Sequence, residues 1–510
     1  MSDESGSREQ SAETSSPERV VVAGASGFLG VAVGEAFGAS YELVGLSRSE
    51  RDPGGGYTCF QKTDLFSLRD SNRALKGADR AIYLVHSMLP SARLMHGHFG
   101  DMDLLCANNF ARAAARNGIR EIIYVGGLVP DIEELSDHLK SRLEVEAALA
   151  ATGIPVTTLR AGVIVGASGS SYQVIRRLVS RLPVMVCPSW TGTRMQPVAL
   201  RDVVASIGHL LENPSTETRT FDLGAPNALS YRELMSATAT SMGKKRIMLP
   251  VPLITPRLSS LWVTMTTGAP SSLIAPLIES LEHEMVVRPS ARLEIPGYTP
   301  TSIEDMLAEA ASKSADGEKQ PVAKRAVPRA FQRYSEGRNP SVARSVARME
   351  LPEGANSIWA AREYLRWLPV AMKPLVRVQS GQSPDEVEFY SPLLARVLLK
   401  LEHASERSTP DRQIFTVTGG FLSRRPGHGR LEFRQVGTGR TLLATVHDFE
   451  PSLPWWIYRN TQAVLHEFVM RRFGSHLAGV KLTLPMETEE PLSDFQSGDA
   501  PLPPPEPRQK

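Results

Sequence analysis

The chain has 510 residues, 42% hydrophobic and 22% charged, with a formal net charge of +2. That length holds two or three domains with a real core, and the composition is that of a globular protein. So small a net charge argues against a nucleic-acid partner, and three scattered cysteines (Cys59, Cys106 and Cys187) argue against a disulfide framework and fit a reducing, cytoplasmic setting.

Residues 1–18 are polar and acidic, lack the apolar core of a secretory signal, and predict a disordered leader. No apolar run is long enough for a transmembrane helix. From residue 19 onward, short apolar runs at 20–23, 42–46, 58–61, 81–85, 121–125 and 156–159 alternate with helix-periodic stretches at 99–117 and 136–151. Alternation of this kind predicts an α/β fold with a doubly wound, Rossmann-type parallel sheet. The first strand opens into Gly24, Ala25, Ser26, Gly27, Phe28, Leu29 and Gly30. Three glycines at three-residue spacing let a strand turn tightly into a helix whose free N–H groups suit a pyrophosphate.

The second strand ends in Ser47 and Arg48, with no acid to take a ribose 2′-hydroxyl. Arg48 has two readings: a solvated loop residue, or a partner for a 2′-phosphate with Ser47 as a further donor, which favours NADP(H) over NAD(H). The G-x-x-G-x-x-G turn resembles that of the short-chain dehydrogenase/reductase (SDR) superfamily. The resemblance continues at Asp64 and Leu65, placed near the adenine, at His86 and Ser87 under the cofactor ribose, and at Gly162 in the segment flanking the nicotinamide. Residues 196–203 and 221–226 resemble landmarks of the extended and atypical branches. The runs YLVHSM, GGL and HLxSR are similar to an atypical SDR group of bacterial NAD(P)-binding proteins, many without an established reaction.

The resemblance also exposes what is replaced. The family's Ser, Tyr and Lys fall on Gly126-Gly127, His138 and Arg142. His138 could still donate a proton, although the charge of Arg142 lowers its pKa. Arg142 would bind ribose hydroxyls and act only electrostatically. Two functions stay open: an NADPH-dependent oxidoreductase acting on a lipophilic carbonyl or quinone-like substrate with His138 and Arg142 as catalytic residues, and a non-catalytic NADPH-binding sensor or assembly factor. Sugar epimerisation leans on the missing Tyr as well. His96 and His98 form a histidine pair without further ligands, so no metal is expected.

Residues 200–211, 220–223 and 231–242 continue the α/β pattern, so the cofactor-binding domain is placed at 19–305. The apolar, proline-broken stretch 247–278 reads either as short packed helices or as a greasy lid over a lipophilic substrate or a membrane surface, the latter being a peripheral contact. Residues 306–354 read as a basic linker. From 319 to 348 there are eight basic residues against Glu336 alone, read as a solvated connector or as a surface for anionic lipid or an acidic partner protein. A C-terminal α+β domain is placed at 355–480, with strands at 413–422, 430–436 and 441–449 and a helix at 454–477. Ile457, Val464, Leu465 and Phe468 form its expected apolar face, and Trp455-Trp456 an apolar anchor. Strands followed by a long helix resemble the helix-grip architecture of START-like proteins, which implies an apolar ligand. The Pro-rich tail, 481–510, is expected to be disordered.

Overall fold

Runs of four to six apolar residues between helix-periodic segments suit strands buried on both faces. In the computed structural model they form β1 (Arg19–Ala23), β2 (Glu42–Ser47), β3 (Cys59–Lys62), β4 (Arg80–Tyr83), β6 (Ile122–Gly127), β7 (Val156–Ala161) and β12 (Arg219–Leu223). They pair in parallel in the order β12-β7-β6-β4-β1-β2-β3. The structure describes residues 17–86, 94–132, 134–251, 263–264, 278, 280–318, 342–437 and 439–482. Chain order reverses between β1 and β4, so the crevice at their carboxyl ends is the place where such a sheet binds ligands.

Alternate residues of each strand feed different cores. Val20, Val22, Ile82 and Ile123 pack with Val33 of α1 (Phe28–Phe37) and with Val203 and Ile207 of α6 (Leu200–Glu212). Val21, Ala23, Tyr83 and Tyr124 face α2 (Leu68–Ala74), α3 (Phe99–Arg116) and α4 (Asp137–Ala150) through Leu68, Leu105, Phe110 and Val145. Three two-stranded pairs extend this half: β8 (Ile164–Val165) with β11 (Val198–Ala199), β9 (Val184–Cys187) with β14 (Ile247–Pro250), and β10 (Arg194–Met195) with β13 (Leu229–Ser230). They pack with α5 (Ser170–Arg181) and α7 (Tyr231–Ser241).

The expected linker is the main departure. Residues 303–318 are a helix, α8 (Ile303–Glu318), whose Met306, Leu307 and Ala310 are buried against Leu234 and Tyr231. Residues 343–350 are a strand, β15 (Ala343–Glu350), inside the second sheet. Ala- and Arg-rich composition suggested solvent, but Arg344 and Arg348 are paired with acids of the first domain. The rest of the expected linker, 319–341, the leader and most of 252–279 lie outside the described residues, as does the tail beyond 482.

The second sheet runs β16 (Arg377–Ser380), β17 (Glu386–Ser391), β18 (Arg396–His403), β19 (Arg412–Gly419), β20 (Arg430–Val436) and β21 (Thr441–Phe449), with β15 returning beside β21. These seven strands are antiparallel. An eighth, β5 (Leu94–His96), comes from the first domain and pairs parallel to β15. One face is covered by α9 (Ser357–Ala371) and α11 (Gln462–Gly479), through Tyr364, Trp367, Phe433 and Phe473. The opposite face lies on α3. Leu443, Val346 and Val436 join the core of the first domain, so α3 is sandwiched between two sheets.

That sandwich explains the buried polar residues of α3. Arg434, fully buried on β20, donates to the side-chain oxygens of Asn108 (3.1 Å) and Asn109 (2.5 Å) and pairs with Glu432. The expected helix at 454–477 is broken at Thr461, which has φ −128° and ψ −80°, into α10 (Trp455–Asn460) and α11. α11 carries two apolar stripes. Ala463, Val469, Met470, Phe473 and Leu477 are buried, whereas Val464, Leu465 and Phe468 face solvent. No described helix is long and apolar enough to cross a membrane.

Candidate functional site

The glycine turn has the shape its spacing implies. Gly24 takes φ +89°, a conformation that disfavours side chains, and the N–H of Gly27 donates to its carbonyl at 2.9 Å. A Cβ on Gly30 would sit 2.4 Å from the Gly24 oxygen, so α1 can leave β1 this closely only with glycine there. Gly27 is the N-cap and offers no side-chain acceptor. The first helical bond is from Val31 N–H to the Gly27 carbonyl, so the N–H groups of Phe28, Leu29 and Gly30 have no intrahelical acceptor. Ser26 is half-buried beside them, and the ring of Phe28 fills the space that a Cβ on Gly166 would need. A cradle of this kind fits a dinucleotide pyrophosphate.

At the end of β2, Ser47 is buried and its hydroxyl accepts from Nε of Arg51 (3.2 Å) and from the Ser49 N–H (3.4 Å). Arg48 is exposed. Arg51, which spacing alone did not single out, lies 6.0 Å over the ring of Phe60 and adds a second guanidinium to this end. Asp64 accepts from the Phe66 N–H at 3.1 Å and is also ion-paired at 2.6 Å with Arg344 of the second sheet. The Leu65 carbonyl accepts from Asn109 at 2.8 Å.

The expected nicotinamide end comprises His86, Gly126, Gly127, His138 and Arg142; Ser87 lies outside the described residues. Ser136 caps α4, its hydroxyl accepting from the Leu139 N–H, and so positions His138 in the first turn. The His138 ring is 6.4 Å from that of Phe99, and its Nδ1 is buried without a hydrogen-bond partner. Burial, and then the Arg142 charge, push its pKa down to about 3. His86 keeps an accessible edge, yet the protein packed around it, with the charges of Arg142 and His138, pushes its pKa well below the ordinary value. Both imidazoles are therefore neutral at pH 7.

Arg142 is only 4% exposed and turns into the seam between α3 and α4, where its guanidinium donates to Asp103 at 2.9 Å. Asp103 was not legible as a site residue, since nothing local marks one acid on α3 as the partner of a residue thirty-nine positions on. Tyr124, whose hydroxyl donates to the Arg142 carbonyl at 3.5 Å, is buried with its pKa raised to about 12 by desolvation, so it supplies no phenolate.

The downstream landmarks make close contacts within the fold. A Cβ on Gly162 would meet the Gln196 carbonyl at 2.0 Å, and Gln196 itself bridges Ala225 and the Val287 N–H. Asp202 accepts from Tyr298 and Thr301, and Asp222 from Arg288. Among the described residues no three metal-ligating side chains converge; the His96 side chain is outside them.

No family model matches the chain. It is similar to the auxiliary protein GraX of Staphylococcus aureus, with 27% identity over 181 residues, covering 34% of this chain and 54% of that protein. The chain thus spans about half the length of that relative. Among solved structures, it is similar to the UDP-glucose 4-epimerase of Thermotoga maritima with UDP-glucose, at 13% identity and a TM-score of 0.46, covering 59% of this chain and 100% of that one. It is also similar to a triphenylmethane reductase of Citrobacter sp. complexed with NADP(H), at 17% identity and a TM-score of 0.44, covering 58% of this chain and 99% of that one.

Proposed function

We propose that the chain is an SDR-like NADP(H)-binding oxidoreductase whose acceptor is quinone-like and lipophilic. The observation that carries the reading is the uncapped first turn of α1, closed around Gly24 and Gly30, together with the two arginines, Arg48 and Arg51, that follow the end of β2. Phe28, Leu29 and Gly30 would hold the pyrophosphate by their N–H groups. Ser47, Arg48 and Arg51 would hold the 2′-phosphate, the preference for NADP(H) over NAD(H) resting on that pair. Asp64 and Leu65 would meet the adenine. NADPH bound there supplies a hydride.

The chain's own groups select the acceptor. His138, neutral with a pKa of about 3, can hydrogen-bond a carbonyl but carries no imidazolium proton to deliver near pH 7. Arg142 contributes a charge already balanced by Asp103. A simple aldehyde or ketone yields a strongly basic alkoxide that needs an acid; a quinone yields a stabilised anion that water can protonate. The site therefore suits the quinone better. Titrating NADPH and NADH by fluorescence tests the cofactor, and equal affinities would sink the Arg48–Arg51 argument. Stopped-flow oxidation of bound NADPH by quinones, with aldehydes as controls, tests turnover.

A second reading, a cofactor-responsive sensor or assembly factor without turnover, is favoured by two contacts. The Arg344–Asp64 pair and the β5–β15 pairing tie the cofactor end to the second sheet. It stands if no acceptor oxidises bound NADPH and His138→Ala leaves cofactor affinity unchanged. The START-like resemblance of the second unit is supported by its β-α-β6-α order and by β15 returning beside β21. Tyr364, with ring centroids 5.3 Å from Phe433 and 5.1 Å from Phe473, occupies the space between sheet and helices where an apolar ligand would lie.

A further inference from the structure

Fourteen large apolar side chains are exposed among the described residues, and half of them lie on three elements that start or turn at one end of the second sheet. The strand register places them. β17 ends and β18 begins at a hairpin whose tip carries Leu393 and Leu394, 64% and 57% exposed. β19 ends beside the start of β18, and the Phe421 N–H donates to the Val397 carbonyl, fixing Phe421 next to that tip. The Ser452 N–H donates to the Leu422 carbonyl, which brings α10, with Trp456 70% exposed, to the same place. The first turns of α11 then add Val464, Leu465 and Phe468.

The charge around this patch is net positive. Residues 392–398, 420–430 and 448–472 contain seven arginines against three acids, Asp448, Glu450 and Glu467. Those acids are already paired, with Arg344, Arg425 and Arg471 respectively. Arg396 lies 5.3 Å over the ring of Phe421 and Arg472 lies 5.7 Å over that of Phe468, so cations flank exposed rings. Loop tips bearing Leu, Phe and Trp within an arginine-rich rim match an interface that is apolar below and anionic at its surface.

We propose that this end of the C-terminal sheet docks on an anionic phospholipid surface, with Leu393, Leu394, Trp456 and Phe468 entering the acyl boundary and Arg396 and Arg472 meeting headgroup phosphates. The proposal is independent of the cofactor reading. The opposed charge of the arginine rim and lipid phosphate favours a membrane over a second copy of the same positive patch, which would repel itself.

The test uses the full chain and phosphatidylcholine vesicles with or without phosphatidylglycerol, in a flotation assay. Wild type is expected to float with the anionic vesicles, and Trp456→Ser with Phe468→Ser to bind about tenfold more weakly or worse. Arg396→Glu with Arg472→Glu should lose the preference for phosphatidylglycerol. All four positions are exposed or rim residues, so an unchanged urea midpoint verifies the fold. Brominated lipid should quench wild-type fluorescence but not that of Trp456→Phe. Wild type that never floats, or an apolar variant that floats as well as wild type, overturns the proposal. So does a dimer in solution that the Trp456 and Phe468 substitutions dissociate, which would make a second copy the occupant.

Discussion

Arg344 places one guanidinium nitrogen 2.6 Å from Asp64, at the end of β3, and another 2.6 Å from Asp448 on β21. Its guanidinium also stacks 4.9 Å over Phe66. One side chain of the second sheet thus joins the expected adenine end of the first to its own neighbouring strand. Removing it leaves two acids facing a shared gap. Arg344→Ala is expected to cost on the order of 2 kcal/mol in urea unfolding of the full chain. In a double-mutant cycle with Asp64→Asn, the two losses should be non-additive by about 1 kcal/mol. Additive losses would show that the pair carries no coupling.

Gly30→Ala should abolish the close departure of α1 from β1, because the new methyl would meet the Gly24 carbonyl at 2.4 Å. With the first-turn N–H groups displaced, NADPH affinity is expected to fall about a hundredfold, equivalent to the loss of two charge-assisted hydrogen bonds. Isothermal titration on a variant with unchanged circular dichroism checks it. Retained affinity would remove the turn from the cofactor site.

Cofactor selectivity is a separate measurement. Arg48→Ala and Arg51→Ala should each weaken NADPH about tenfold while changing NADH by less than about twofold, since only the former brings a 2′-phosphate. Parallel losses for the two cofactors would mean that the guanidiniums contact something shared, such as adenine.

Acid should loosen the molecule before its carboxylates titrate. His447 is buried, and desolvation followed by the Arg430 charge holds its pKa well below the ordinary value; His138 is held at about 3. Groups whose folded pKa is depressed bind their proton only on unfolding, so their contribution is present above about 6.5 and is lost as pH falls toward the folded values. Each such group contributes a slope of up to about 1.4 kcal/mol per pH unit in that window. Unfolding free energies at pH 7.5, 6 and 5 should decline accordingly, and His447→Gln should flatten the decline by about one proton. A flat profile between pH 7.5 and 5 would contradict the buried neutral imidazole.

The first sheet was legible because its signals are local. Apolar runs such as 20–23 and 81–85 and the glycines at 24, 27 and 30 fix strand, turn and helix within a dozen residues. The position of His138 on the first turn of α4 was equally local, following from Ser136 as a cap. Arg51 was within reach, three residues past Arg48, but its role needs the Ser47 hydroxyl and the Phe60 ring in space. Asp103 and Arg344 were not legible, since each acts on a residue far away in sequence. β15 was missed for the same reason. Its Arg344 and Arg348 resemble solvated charges until Asp64, Asp101 and Glu144 appear opposite them. The apolar face of α11 was misread because the helix carries a second apolar stripe, Ala463, Val469, Met470, Phe473 and Leu477, and only contact with the sheet decides which of the two is buried.

The pairing of β5 with β15 has a consequence for how the chain can be divided. β15 is the last of the seven antiparallel strands, and its outer edge is met at Arg344 and Ser345 by Leu94 and His96 of the other unit. A fragment made of the second unit alone would present that edge as a row of unpaired peptide groups, a template for aggregation or strand exchange. It would also bare Arg434 and Glu432 on the face that α3 now covers. Cutting between the two sheets therefore yields two sticky halves rather than two modules, because the start of β15 and the buried Arg434 both find partners in the other unit.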